Sequence, residues 1–134
     1  MKSLGPIVEN SESFILAKIF NTTKKTILYI GKDDREIINI KNKLLWLLPN
    51  QKILLYKAWD QIPYDNISPS KEVQISRLKT LNYLNSNKED KKILLTTINA
   101  VIQKIIPNNK LKENFLKISI DTKIEVSRLI LILI

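Results

Sequence analysis

The chain has 134 residues, of which 44% are hydrophobic, with no cysteine, no histidine and a formal net charge of +9. That length suits one domain, or one domain and the beginning of another, with a sizeable core, so disorder is not expected. The missing cysteine and histidine exclude disulfides, thiol nucleophiles, zinc sites of the usual ligand types and any imidazole base or triad.

In chain order, Met1 to Pro6 contains one lysine and no long apolar run behind it, which argues against a signal peptide. Residues 11–21 form the first helical pattern, with Phe14, Ile15, Leu16, Ile19 and Phe20 as its apolar members and Asn10 or Ser11 as its N-cap. The run Thr26 to Ile30, ended by Gly31, predicts a strand. Residues 34–48 predict a helix with Ile37, Ile40, Leu44 and Leu48 on one face, and Pro49-Asn50 to stop it. Residues 52–56 predict a second strand. A third helix opens at Ser68-Pro69, with Ile75, Leu78, Leu81 and Leu84 as its apolar face. Residues 92–98 predict a third strand, and residues 99–106 a short helix that ends before Pro107.

Continuous apolar strands of this kind suit burial on both faces. Strand and helix alternate, which predicts an α/β fold: a parallel sheet flanked by helices and joined by right-handed crossovers. Pro107 to Lys110 reads as a boundary. Beyond it, residues 115–120 alternate like a half-exposed strand, and Asp121 or Thr122 is placed to cap a last helix. That helix stays apolar to Ile134, so a downstream segment or a partner surface is expected to cover it. The longest apolar run, residues 129–134, is far short of the roughly 20 residues of a membrane span.

A nucleotide site on such a fold needs a glycine-rich loop and a lysine before serine or threonine. Gly5 and Gly31 are the only glycines, and the segment Ile7 to Ser13 has no lysine and two glutamates. No phosphate loop, cofactor, metal or catalytic group is therefore assigned. Asp33, Asp34 and Glu36 are read as charges at a helix N-terminus rather than metal ligands. Asp60 and Asp65 are read as turn and capping residues. The positive charge has two readings, a nucleic-acid surface or codon drift. Drift is preferred, because lysine, asparagine and isoleucine are abundant, Arg35, Arg77 and Arg128 are the only arginines, and the basic residues are scattered.

The densest unusual segment, Ala58 to Ser70, joins the second strand to the third helix; it holds Trp59-Asp60-Gln61-Ile62-Pro63-Tyr64-Asp65 and then Ser68-Pro69, and Arg77-Leu78 with Leu81 follow in the helix. It is long for such a connection and carries aromatic rings and prolines, so a stiff structural loop and an aromatic contact for DNA or protein remain equally open. The segment resembles the N-terminal region of bacterial transcription-repair coupling factors, the Mfd proteins. Leu94 to Lys104 resembles the family's next strand and helix, closely enough to suggest its alphaproteobacterial members.

The resemblance implies a UvrB-like domain 1a, a degenerate phosphate-loop NTPase-type fold, over residues 1–110, with residues 111–134 as the truncated start of an α/β domain 2. It implies a non-catalytic docking and regulatory module acting in DNA damage repair, specifically nucleotide excision repair coupled to transcription. UvrA would be recruited through domain 2. RNA polymerase, DNA and ATP would be bound by the motor and other domains of the full-length factor, beyond this chain. A cytoplasmic location is expected, with no membrane contact and at most a weak nucleic-acid contact. The alternative is a free-standing basic nucleic-acid-binding α/β domain. Trp59, Asp60, Pro63, Tyr64, Asp65, Ser68, Pro69, Arg77 and Leu78 are the motif residues expected to be structural or interacting.

Overall fold

The structure is a computed structural model that describes Gly5, Val8 and residues 10–60 and 68–113. The chain divides into two compact units, Met1–Gln103 and Lys104–Ile134. The first contains α1 (Glu12–Thr22), β1 (Ile27–Gly31), α2 (Asp34–Leu47), β2 (Ile53–Tyr56), α3 (Lys71–Ser86), β3 (Ile93–Thr97) and α4 (Ile98–Ile102). The described part of the second is α5 (Asn108–Glu113). The strand and helix expected over residues 115–134 lie outside the described residues.

The α/β expectation holds. The three strands form a parallel sheet in the order β1-β3-β2, with Ile27 and Ile53 both level with Ile93. Ladder pairing on both sides makes β3 the central strand, and its Ile93 and Leu95 are fully buried. On one sheet face, Ile27, Tyr29, Ile53, Leu55, Ile93 and Leu95 meet α1 and α2 through Leu16, Ala17, Phe20, Ile37, Ile40, Leu44 and Leu48. The four positions expected on one helix face are all in this core, Ile37, Ile40 and Leu44 from α2 and Leu48 from its C-cap. Each fully buried large aliphatic side chain contributes roughly 1.5–3 kcal/mol. Gly31 lets α2 come this close to β1: a Cβ there would stand 2.7 Å from Ile37 Cγ2.

Four expectations need correction. First, β1 is not buried on both faces. It is an edge strand, and Leu28 and Ile30 face outward and are exposed, because α3 covers the β2 half of that face. Second, α3 begins later than Ser68-Pro69. Ser70 is its N-cap, and its hydroxyl accepts from Val73 N at 3.4 Å.

Third, the buried face of α3 is built on Arg77 and Thr80, while Ile75 is 50% exposed. The polar pair wins because it answers edge-strand carbonyls: Thr80 Oγ1 donates to Leu55 O at 2.9 Å. Fourth, the short helix expected over residues 99–106 spans Ile98–Ile102 as α4, with Gln103 already extended. The Gln103 side chain is drawn away from the helix to bind Trp59 and Arg77.

Candidate functional site

In parallel α/β sheets, ligands bind beyond the carboxyl ends of the strands. Here β2 runs into Lys57, Ala58 and Trp59, and β3 runs into α4. Arg77 reaches this edge from α3. Its guanidinium lies between two rings, 4.2 Å from the Tyr56 centroid and 4.1 Å from the Trp59 centroid. Nη1 donates to Lys57 O at 2.5 Å and to Gln103 Oε1 at 3.1 Å. Gln103 Oε1 also accepts from Trp59 N at 2.8 Å, so one amide oxygen ties the end of β2 to the end of α4.

Arg77 is only 2% exposed, and its Nε and Nη2 are buried without hydrogen-bond partners among the described residues. Burial lowers its pKa from the ordinary arginine value and raises that of Tyr56. The guanidinium still remains charged at neutral pH, because an arginine starts so high. Delocalised, weakly hydrated charge is what allows a planar cation to be stacked between rings at this depth.

The other polar groups at this edge serve the backbone. Thr97 Oγ1 accepts from Ala100 N at 3.3 Å and caps α4, and Thr96 Oγ1 donates to Tyr56 O at 2.9 Å. Asp33 caps α2, accepting from Glu36 N at 2.8 Å. Glu36 accepts from Lys32 N at 3.0 Å and from the Tyr29 hydroxyl. Burial, then the Glu36 bond and charge, push the Tyr29 pKa up. The acidic cluster is thus engaged as a helix start, as its position predicts.

The motif residues divide into those brought together and those not. Trp59, Arg77 and the Asp60–Ser70 contact lie around one loop entrance. Asp60 Oδ1 accepts from Ser70 N at 3.0 Å, and the Ser70 bonds hold the Asp60 carboxyl below the usual range. Ser68 is exposed, Pro69 O accepts from Gln74 Nε2 at 2.7 Å, and Leu78 is half-buried on α3. Pro63, Tyr64 and Asp65 lie outside the described residues.

Two features escaped sequence reasoning. Trp46 is 82% exposed and lies beside Phe14, itself 60% exposed. Helical spacing already held the first signal: Ile37, Ile40, Leu44 and Leu48 define the buried face, and Trp46 falls off it. The second is the gathering of scattered lysines. Lys52 and Lys92 immediately precede paired strands, at the same level of the sheet as Thr26, with Lys24, Lys25 and Lys91 alongside. Lys91 Nζ donates to Phe20 O and Lys92 Nζ to Asn87 O.

No family model matches the chain. It is similar to curated transcription-repair-coupling factors. With that of Haemophilus influenzae it shares 26% identity over 128 residues, 96% of this chain and 11% of the relative. With that of Rickettsia bellii it shares 24% over 116 residues, 87% of this chain and 10% of the relative. With that of Escherichia coli it shares 22% over 106 residues, 79% of this chain and 9% of the relative. The chain therefore spans about a tenth of the length of the curated relatives it matches. The resemblance read from the motif blocks holds, and rickettsial factors are among the matches.

Proposed function

We propose that this chain is a UvrB-like module of a transcription-repair coupling factor, without chemistry of its own, that serves as a protein-docking scaffold in transcription-coupled nucleotide excision repair. The coupling-factor part is supported by the relatives. The scaffold part is supported by one observation above all. The sheet edge where such folds hold ligands is occupied by the Tyr56–Arg77–Trp59 stack and its Gln103 tie, all groups of the protein itself.

On this reading, residues 1–110 are the domain 1a equivalent and residues 111–134 begin domain 2, through which UvrA is recruited. Polymerase, DNA and ATP belong to other domains of the full-length factor. The alternative, a free-standing basic nucleic-acid-binding domain, is weakened because Lys91 and Lys92 are spent on internal carbonyls.

The test compares UvrA binding by the 134-residue chain and by a chain continued through domain 2, alongside a titration of each with ATP and magnesium. UvrA binding by the longer chain alone, with no nucleotide binding by the shorter, is the expected result. A longer chain that ignores UvrA overturns the docking role. Nucleotide binding by the shorter chain overturns the non-catalytic assignment.

A further inference from the structure

The outer surface of the α1–α2 pair carries a groove that neither the fold nor the proposed function uses. It has a volume of about 420 Å3 and is lined by Phe14 of α1 and by Asn42, Lys43, Trp46 and Leu47 of α2. Trp46 is the most exposed large hydrophobic side chain among the described residues. A tryptophan left in water forgoes the burial that its large apolar surface would gain. Arg35, Asn39, Asn42 and Trp46 follow one another at helical spacing and form a single exposed ridge.

Among the described residues, the charged side chain lining the groove and those nearest on its two helix surfaces are basic. Lys43 lines it, Lys18 is exposed one turn beyond Phe14 on α1, and Arg35 shares the Trp46 ridge about 16 Å away at the start of α2. The nearest described carboxylates are turned elsewhere. Glu36 is bonded to Tyr29 and Lys32 N, Asp33 caps α2, and Asp34 lies on the Ile38–Lys41–Leu45 side of the helix. Glu12 lies two positions before Phe14, which helical spacing sets on a different side of α1.

We infer that this groove docks an acidic amphipathic helix of a protein partner, with Trp46 and Phe14 receiving its apolar anchors and Lys18, Arg35 and Lys43 facing its carboxylates. A helix laid in a groove presents anchors at i, i+3, i+4 and i+7, a spacing suited to a cleft between two packed helices. An exposed tryptophan beside a second exposed aromatic ring is the composition of a binding hot spot. A second copy of this chain is the poorer occupant, because a net charge of +9 on each copy opposes association. Single-stranded nucleic acid is poorer too. The groove offers Phe14, Trp46 and Leu47 with one lining lysine, whereas a single-stranded backbone needs a track of several cations, and Lys43 is already shared with Asn10. The inference does not depend on the coupling-factor reading.

The full 134-residue chain is titrated, with amide chemical shifts as readout, against three probes. The first is an 18-residue helical peptide with leucine at the anchor positions and glutamate elsewhere. The second is the same peptide with lysine for glutamate, and the third is a twelve-nucleotide oligothymidine. The glutamate peptide is expected to bind and to shift the amides around Phe14, Asn42 and Trp46. The other two probes are expected to leave those amides unmoved.

Trp46→Ala is expected to weaken binding at least tenfold while the circular dichroism spectrum stays that of the wild type. Lys18→Gln with Lys43→Gln is expected to weaken it several-fold and flatten its salt dependence. Three results each overturn the inference: no binding of the glutamate peptide at millimolar concentration, binding unaffected by Trp46→Ala, or the oligonucleotide shifting these amides while the peptide does not.

Discussion

Arg77 is where the scaffold is most exposed to test, because its substitution series separates packing from charge. Arg77→Ala empties the slot between Tyr56 and Trp59, and large-to-small changes at buried sites cost about 2–5 kcal/mol. It strips Lys57 O of its guanidinium partner, a further loss of about 1–3 kcal/mol if no water replaces it. Gln103 Oε1 keeps its bond from Trp59 N, so that tie survives. Against these losses stands a return: two buried N–H groups without partners, Nε and Nη2, are removed together with the cost of desolvating the charge.

The balance is a net destabilisation of about 2–4 kcal/mol. Arg77→Met keeps a long apolar filling between the rings and buries no charge, so it should cost less than about 1.5 kcal/mol. Urea unfolding followed by circular dichroism measures both, as midpoint shifts at constant slope. Tryptophan emission adds a local reading, since Trp46 is already in water and a change must come from Trp59. Two results refute the reasoning. If Arg77→Ala lies within about 0.5 kcal/mol of the wild type, the stack does not hold the edge together. If Arg77→Met is as damaging as Arg77→Ala, the hydrogen bonds and not the stacked filling carry the stability.

The remaining predictions concern single contacts. Gly31→Ala forces Ile37 or the β1–α2 backbone to shift and is expected to cost about 1–3 kcal/mol in the same urea assay. Asp33→Ala removes the α2 cap and is expected to cost about 1 kcal/mol, recovered in large part by Asp33→Ser. Asp60 has its pKa lowered by Ser70, so its contribution is present above the ordinary carboxylate range and is lost as pH falls through the folded value. An acid titration of stability should therefore flatten in Asp60→Asn. Tyr29 has a raised pKa. Its contribution is complete below about 10, the ordinary tyrosine value, and lost as pH rises beyond it, and Tyr29→Phe should remove that alkaline loss.

The strands and α2 were legible because their signals are redundant. Continuous apolar runs mark buried parallel strands, and Ile37, Ile40, Leu44 and Leu48 repeat with the helical period while Asp33 marks the start. α3 was legible as a helix but not in its facing. Hydropathy ranks Ile75 above Arg77 and Thr80, yet the position over the edge of β2 needs donors for the Lys57 and Leu55 carbonyls. The exposed face of β1 was hidden for another reason. An apolar run states that a strand is apolar, not whether a neighbour covers it, and strand order is a long-range property. Arg77 was marked only as part of a family motif, and nothing local to its sequence announces a cation stacked between rings.

Topology also bears on the charge, the sequence feature with the least settled meaning. In a parallel sheet with helical crossovers, each helix ends just before the next strand begins, so helix C-termini gather at the amino edge of the sheet. Their free carbonyls carry partial negative charge and are stabilised by cations. Lys91 and Lys92 meet this demand directly, at Phe20 O in the last turn of α1 and at Asn87 O, the C-cap of α3. Lysines concentrated here are therefore first a consequence of how the chain folds. Lys24, Lys25, Lys52 and Lys88 remain exposed nearby, and Glu89 and Asp90 oppose them. Four phosphate contacts would limit the slope of log affinity against log salt to about −3.6 on duplex DNA. A measured slope much steeper than that would mean that phosphates are held elsewhere on the chain, and the amino edge would lose its claim to be the site of even a weak contact.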